Sequence, residues 1–267
     1  MQSGPTKTSS RGFIADLAAG GRYHFVSSEA RGALGVTPDA AKLALRRLAK
    51  QGLIASPARG FYVIVPPEYR SLGCLPADQF IPALMKERRR SYYAGLLTAA
   101  QYHGAAHQRP QAFQVFVDRS YRPFVCGKVR VAFMVRKRLR DVPVQQLNTP
   151  RGTLRVSTPE ATAIDLIGYQ QRAGGMSHVA TVLLELAERL DVGKLPEAAE
   201  TAPVTWAQRL GFVLDHIGAS DKAVDLREYV RTRAQRPTPL VPGLSHEASQ
   251  HDVVWKVYVN ADLELDL

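Results

Sequence analysis

Cysteine is nearly absent: only Cys74 and Cys126 occur in 267 residues. They stand far apart in the sequence, in no metal-binding or redox spacing, which excludes a disulfide framework and leaves both as small apolar core residues of a reduced protein. No stretch approaches the ~20 apolar residues of a membrane span, and no N-terminal apolar run resembles a signal peptide. The expectation is a cytoplasmic protein with no membrane attachment. Also missing are a Gly-rich phosphate loop, a Ser/His/Asp set and a nucleotidyltransferase-type carboxylate pair, so no enzyme activity is expected and no cofactor is implied. The nearest approach to a metal site is His103 and His107, four apart as two ligands on one helix face would be. Gly104 lies between them, however, and no Glu takes the place that an HExxH motif requires. Helix-end histidines are the plainer reading, and no metal is expected.

Acidic residues are scarce in the first half of the chain. Residues 1–70 hold 10 Lys+Arg against 4 Asp+Glu, residues 71–150 hold 13 against 4, and residues 151–267 hold 12 against 16. The net charge of +11 therefore sits in the first 150 residues, an asymmetry that directs one end of the molecule towards a polyanion. The length favours two domains, and 45% hydrophobic residues is ample for a packed core.

Ser27 to Val65, SSEARGALGVTPDAAKLALRRLAKQGLIASPARGFYVIV, has the pattern of a winged helix-turn-helix. A first helix starts at a Ser27/Ser28 cap with Glu29 in its first turn. It carries Ala30, Ala33 and Leu34 on one face and closes at Gly35. Val36 is the apolar residue of the turn. Thr37 caps a second helix with Pro38 at its first position, and Leu43, Leu45 and Leu48 are expected to bury against the first helix. Lys42, Arg46, Arg47 and Lys50 remain on other faces. Gly52-Leu53-Ile54 leads into a strand, Pro57 to Gly60 makes a turn carrying Arg59, and Phe61 to Val65 returns, forming the wing. The same pattern also serves modules that bind only proteins, and a row of cations is often a solvated face. Here the pattern is complete and the exposed charges are nearly all basic, which favours DNA. The expected groove contacts are Thr37, Asp39, Lys42 and Arg46, with Ser27, Pro38, Arg47 and Lys50 as further DNA-binding residues, some of the cations meeting phosphates, and Arg59 at the wing tip placed for a phosphate or the minor groove.

Around this motif, Gly12 to Ala19 reads as a short helix whose Phe13, Ile14 and Leu17 cover the core, with Lys7 and Arg11 before it in reach of a phosphate. Pro66-Pro67 breaks the sheet and Glu68 to Pro76 links to a second domain. The expected division is therefore 1–67 and 77–267, an α+β protein with an N-terminal winged helix-turn-helix and a mixed α/β C-terminal domain. In the latter, helices are expected over Ala77–Glu87 and Tyr92–Gly104, then strands over Ala112–Val117, Val129–Val135 and Gly152–Val156. A strong helix follows through Gly168, capped either by Thr158 with Pro159 or by a Ser157/Glu160 capping box. Further helices are expected over Met176–Leu190, Val204–Ile217 and Ala223–Ala234, and a final strand over Val253–Asn260.

Two basic runs offer a second nucleic-acid surface: Lys86, Arg88, Arg89 and Arg90 in the first, and Arg136, Lys137, Arg138 and Arg140 in the second. Glu160 and Asp165, with Asp118 at a strand end, invite comparison with a metal nuclease. Glu160 has a simpler role at a helix N-terminus, and Asp165, five residues on, faces another direction.

Five segments together carry a family resemblance: the winged helix-turn-helix, RSLGCLPADQFI, YYAGLLTAAQYHGAAHQRPQAFQV, RVSTPEATAIDLIGY and WAQRLGFVLD. They resemble the AbiEi antitoxins, the regulatory half of type IV toxin–antitoxin and phage abortive-infection operons. The resemblance implies an N-terminal domain that binds inverted repeats in its own promoter double-stranded DNA and represses the operon. It implies a C-terminal antitoxin domain that counteracts a nucleotidyltransferase-like toxin, with or without touching it. Lys42, Arg46, Arg47, Lys50 and Arg59 match the family's repressor surface, while the STPEATAIDL helix, Tyr92, Tyr93 and His103 fit packing as well as binding. Two rival readings are a metabolite-responsive winged-helix repressor and a DNA nuclease.

Overall fold

A computed structural model describes residues 9–105 and 110–265. In chain order it contains α1 (Ser10–Ala19), β1 (His24–Val26), α2 (Ser27–Leu34), α3 (Pro38–Lys50), β2 (Ile54–Ala58) and β3 (Phe61–Ile64). Next come α4 (Ile81–Glu87), β4 (Tyr92–Ala94), α5 (Leu96–Tyr102), β5 (Phe113–Val117), β6 (Phe124–Cys126), β7 (Val129–Val135), β8 (Val144–Thr149) and β9 (Gly152–Ser157). The remainder is α6 (Pro159–Gly168), α7 (Met176–Leu186), α8 (Leu195–Glu200), α9 (Val204–His216), α10 (Val224–Arg233), β10 (Thr238–Pro239), β11 (Gln250–Asp252) and β12 (Val257–Val259). This mixture is the α+β class expected. Packing divides the chain into two units: the first runs to Tyr92 and adds Gln111–Val135 and Gln146–Leu154, and the second holds Tyr93–Pro110, Arg136–Gln145 and the chain from Arg155 on.

The first unit is organised around a small apolar core. Phe13 and Ile14 of α1, Phe25 of β1, Ala30 and Leu34 of α2, Leu45 and Leu48 of α3, Ile54 of β2 and Ile64 of β3 bury together. Each large side chain so buried is worth about 1.5–3 kcal/mol. Phe25 anchors it, meeting the Phe13 ring edge-on at 5.2 Å and stacking on Tyr62 at 5.4 Å. The three strands form a sheet in the order β1-β3-β2, antiparallel throughout. Three local expectations change here. α2 already begins at Ser27, and its cap is Val26, whose N–H donates to Glu29 Oε2 at 3.5 Å. Ala33 is exposed rather than part of the helix's inner face. Leu43 is 52% exposed, because the inward row of α3 is Ala41, Leu45 and Leu48 and a residue two positions from both Ala41 and Leu45 points the other way on a helix of 3.6 residues per turn.

The rest of this unit packs β6, β7 and β5 side by side, β6 antiparallel and β5 parallel to β7. Cys74 and Cys126, distant in sequence, meet thiol to thiol here as buried free cysteines. Beside them the backbone of Gly127, at φ +59, lies so near Leu72 and Gly73 that an added Cβ would be 2.3 Å from the Leu72 carbonyl oxygen.

In the second unit α6 is the central element. All side chains from Glu160 to Ile167 are buried, as expected of a helix surrounded by others, and α5, α7, α8 and α9 pack on it. Thr158 caps it, accepting from the Ala161 N–H at 3.3 Å, with Pro159 in the first turn. Tyr92–Ala94, expected to be helical, is the strand β4, which pairs parallel with β9 at Ala94 and Val156. The expected terminal strand from Val253 is instead a hairpin, with β11 antiparallel to β12 and a turn over residues 253–256 that buries Trp255.

Candidate nucleic-acid interface

α3 starts at a cap built from local sequence. Thr37 Oγ1 accepts from the Ala40 N–H at 3.4 Å, and Pro38 supplies a preset φ. Thr37, Pro38, Asp39, Lys42, Arg46, Arg47 and Lys50 are all exposed. The hairpin β2–β3 turns at Arg59-Gly60, where Gly60 takes φ +77, a region only glycine enters freely. Its tip is held from two sides. The Ser27 N–H donates to the Gly60 carbonyl at 3.0 Å, and the Arg88 guanidinium donates to the Arg59 carbonyl at 2.6 Å.

These contacts gather the start of α2, the start of α3 and the hairpin tip round one hollow of about 420 Å³, lined by Ser27, Pro38, Lys42 and Arg59 among others. Arg31 of α2 also lines it and was not foreseen. Its signal was its position four residues after Ser27, on the same face of α2. The result is a rim of guanidinium and ammonium groups beside the N-terminus of a helix, a geometry suited to phosphate. Arg11 lies elsewhere: its guanidinium donates to Gln51 Oε1 at 2.9 Å, by the C-terminal end of α3. Lys7 and His107 lie outside the described residues.

The second basic surface divides. Arg88 belongs to the hairpin tip, as above. Lys86 and Arg89 are exposed and share a hollow with Arg22, Arg151, Glu29 and Glu87, a mixture of signs. Arg90 faces Asp118 at 3.5 Å. In the second unit Arg138 pairs with Asp141 at 2.9 Å and donates to the Glu200 carbonyl, while Lys137 stays exposed. Arg136 is not a surface cation. It is 4% exposed, with Nε 2.9 Å from Asp165 Oδ1 and further donation to Thr201, and its guanidinium lies 5.0 Å from the Trp206 ring centre.

That pairing also accounts for the acids that suggested a nuclease. The fully buried Asp165 accepts from Arg136 and from the Tyr93 hydroxyl at 2.7 Å. Burial pushes its carboxyl up, opposed by the Arg136 charge and the Tyr93 bond. Burial likewise drives the Tyr93 hydroxyl well above its ordinary range, with the Asp165 charge adding to it. Glu160 accepts from the Asp191 N–H at 3.0 Å in the first turn of α6. His103 ends α5, its Nε2 2.8 Å from the Ser157 carbonyl, and burial lowers its pKa. Among the described residues no group of three or more His, Cys, Asp and Glu is placed to hold a metal ion, and no described helix is long and apolar enough to cross a membrane.

Residues 93–216 match the family model of the AbiEi antitoxin C-terminal domain. The match begins at Tyr93 and contains Arg136 and Asp165, so the buried trio lies within it. No curated protein matches the chain. Among solved structures it is similar to the RV2827C protein from Mycobacterium tuberculosis, with a TM-score of 0.67 at 17% identity, covering 96% of this chain and 92% of that one. At that identity the likeness concerns the fold.

Proposed function

From the match of residues 93–216 to the AbiEi antitoxin C-terminal domain we propose that this chain is the antitoxin of a toxin–antitoxin system, and that its N-terminal unit binds the promoter DNA of its own operon and represses it. α3 enters the major groove, with Thr37, Asp39, Lys42 and Arg46 nearest the bases. Arg47, Lys50, Arg31 and the hairpin, acting as a wing through Arg59, take phosphates. The observation that carries this reading is the convergence of Ser27, Arg31, Lys42 and Arg59 round one hollow beside the capped start of α3. Inverted repeats would be met by two copies with matched half-site spacing.

The toxin-facing role is assigned to the C-terminal part, 77–267 in functional terms, acting against a nucleotidyltransferase-like toxin of a type IV system. Residues 1–67 supply the operator contacts. The test is a mobility-shift titration of the full chain against its own upstream DNA at two salt concentrations, with a scrambled competitor. Retained preference for the upstream DNA, with affinity falling steeply as salt rises, supports a phosphate-anchored specific repressor. Equal affinity for both DNAs would overturn it.

A further inference from the structure

The outward face of α3 is not uniformly polar. Asp39, Leu43, Arg46, Arg47 and Lys50 are exposed and share the side opposite Ala41, Leu45 and Leu48. Leu43 stands in the middle of this ridge, three and four residues before the two arginines and four after Asp39, so it is the immediate neighbour of all three. Single exposed leucines are common on protein surfaces. This one differs in its setting: it is 52% exposed at the centre of a helix face otherwise made of charges, one turn beyond the capped N-terminus.

Leu43 has no donor or acceptor, so what it can recognise is an apolar group. A second copy of the chain is a poor occupant, because it would bring Arg46, Arg47 and Lys50 against their own counterparts. A DNA major groove matches the flanking cations and offers one apolar feature among its base edges, the C5-methyl of thymine. We propose that Leu43 is a specificity-determining residue that reads a thymine methyl in the operator half-site. The proposal rests on α3 being the groove helix, and it adds a base identity that charge alone does not provide.

The experiment uses the full chain and its own upstream DNA, with each thymine of the bound segment replaced in turn by uracil, which removes the methyl and leaves the pairing edge intact. One position per half-site is expected to weaken wild-type binding by about fourfold, the worth of roughly one buried methyl-sized group. L43A is expected to bind the unmodified DNA more weakly by a similar factor and to be indifferent to uracil at that position. Leu43 is neither in the apolar core of its unit nor among the residues packed against it, and alanine favours helices, so the variant's melting temperature should match wild type. The proposal is overturned if no uracil position weakens the wild type, or if L43A responds to uracil as the wild type does. In either case a retained preference for upstream over scrambled DNA leaves the repressor reading standing. Loss of that preference in the wild type itself overturns both.

Discussion

The guanidinium of Arg88 donates a 2.6 Å hydrogen bond to the backbone carbonyl of Arg59. A residue of the KERRR run thereby supports the hairpin tip 29 positions earlier, and two basic segments that looked independent in the sequence act as one structure. The Ser27 N–H holds the adjacent Gly60 carbonyl from the other side, so the Arg59 side chain projects from a tip fixed at both of its residues.

Arg88→Ala should weaken binding to upstream DNA by roughly threefold to tenfold, the scale of one ordinary solvent-exposed hydrogen bond. The effect should shrink in an Arg59→Ala background, because Arg88 acts by placing Arg59 and coupled sites are not additive. A four-way comparison of dissociation constants measures this. Strict additivity would mean that Arg88 contacts DNA independently.

Charge reversal at Arg46 and Arg47 to Glu should abolish the shift of upstream DNA while circular dichroism and melting temperature stay those of wild type. Both side chains are exposed on α3 and outside the core. The single reversal at Arg47 should show a shallower dependence of affinity on salt, since it removes a phosphate contact. Unchanged affinity would remove α3 from the interface.

Asp165→Ala should destabilise the folded chain by about 3–5 kcal/mol, because it strands the buried Arg136 charge without its partner. Replacing the group together (Arg136→Met, Asp165→Leu and Tyr93→Phe) should cost far less, since no buried polar atom of the trio is then left unpaired. Urea denaturation midpoints separate the two cases. Equal losses would show that packing, not charge pairing, sets the contribution of this site.

Stability should fall on acidification below neutrality through His24 and His103. Burial lowers both imidazoles from the usual 6.5, with the Arg22 charge adding to the effect at His24. A base whose folded pKa is depressed binds fewer protons folded than unfolded, so its contribution is complete above 6.5 and is lost as pH falls from there to the folded value. Melting temperature should drop between about pH 7 and 5, and His24→Gln with His103→Gln should flatten that slope. An identical slope in the variant would place the titration elsewhere.

What could be read in the sequence was local. The cap at Thr37-Pro38, the closure of α2 at Gly35 and the cap of α6 at Thr158 are each written in a few adjacent residues, and so is the hairpin turn at Arg59-Gly60. The elements that escaped depend on distant partners. Tyr92–Ala94 runs into α5 with no break in apolar pattern, and becomes a strand through Val156. Arg136 sits in a run of cations that looks solvated, and is buried by Asp165, 29 residues on. Leu43 was misplaced for a different reason: three leucines at spacings of two and three suggested one broad inner face, whereas Ala41, with its small side chain, occupies the inward position at the start of the row. The candidate interface was therefore legible as a set of cations, and its joining through Arg88 and Arg31 was not.

The three-part make-up of the first unit bears on how the protein is born. Its last segment is Gln146–Leu154, so a ribosome must pass the midpoint of the message before every strand of that unit exists. Helices α1 to α3 and their sheet can assemble early from contiguous sequence, but β5, β6 and β7 must wait, and Gly127 must arrive before it can seat against Leu72. A nascent chain halted before Gln146 carries all of α3 and only part of the unit to which it belongs. Maturation is thus paced by translation: the first unit is complete in sequence at Leu154, and the second only after the whole segment from Arg155 on has been made.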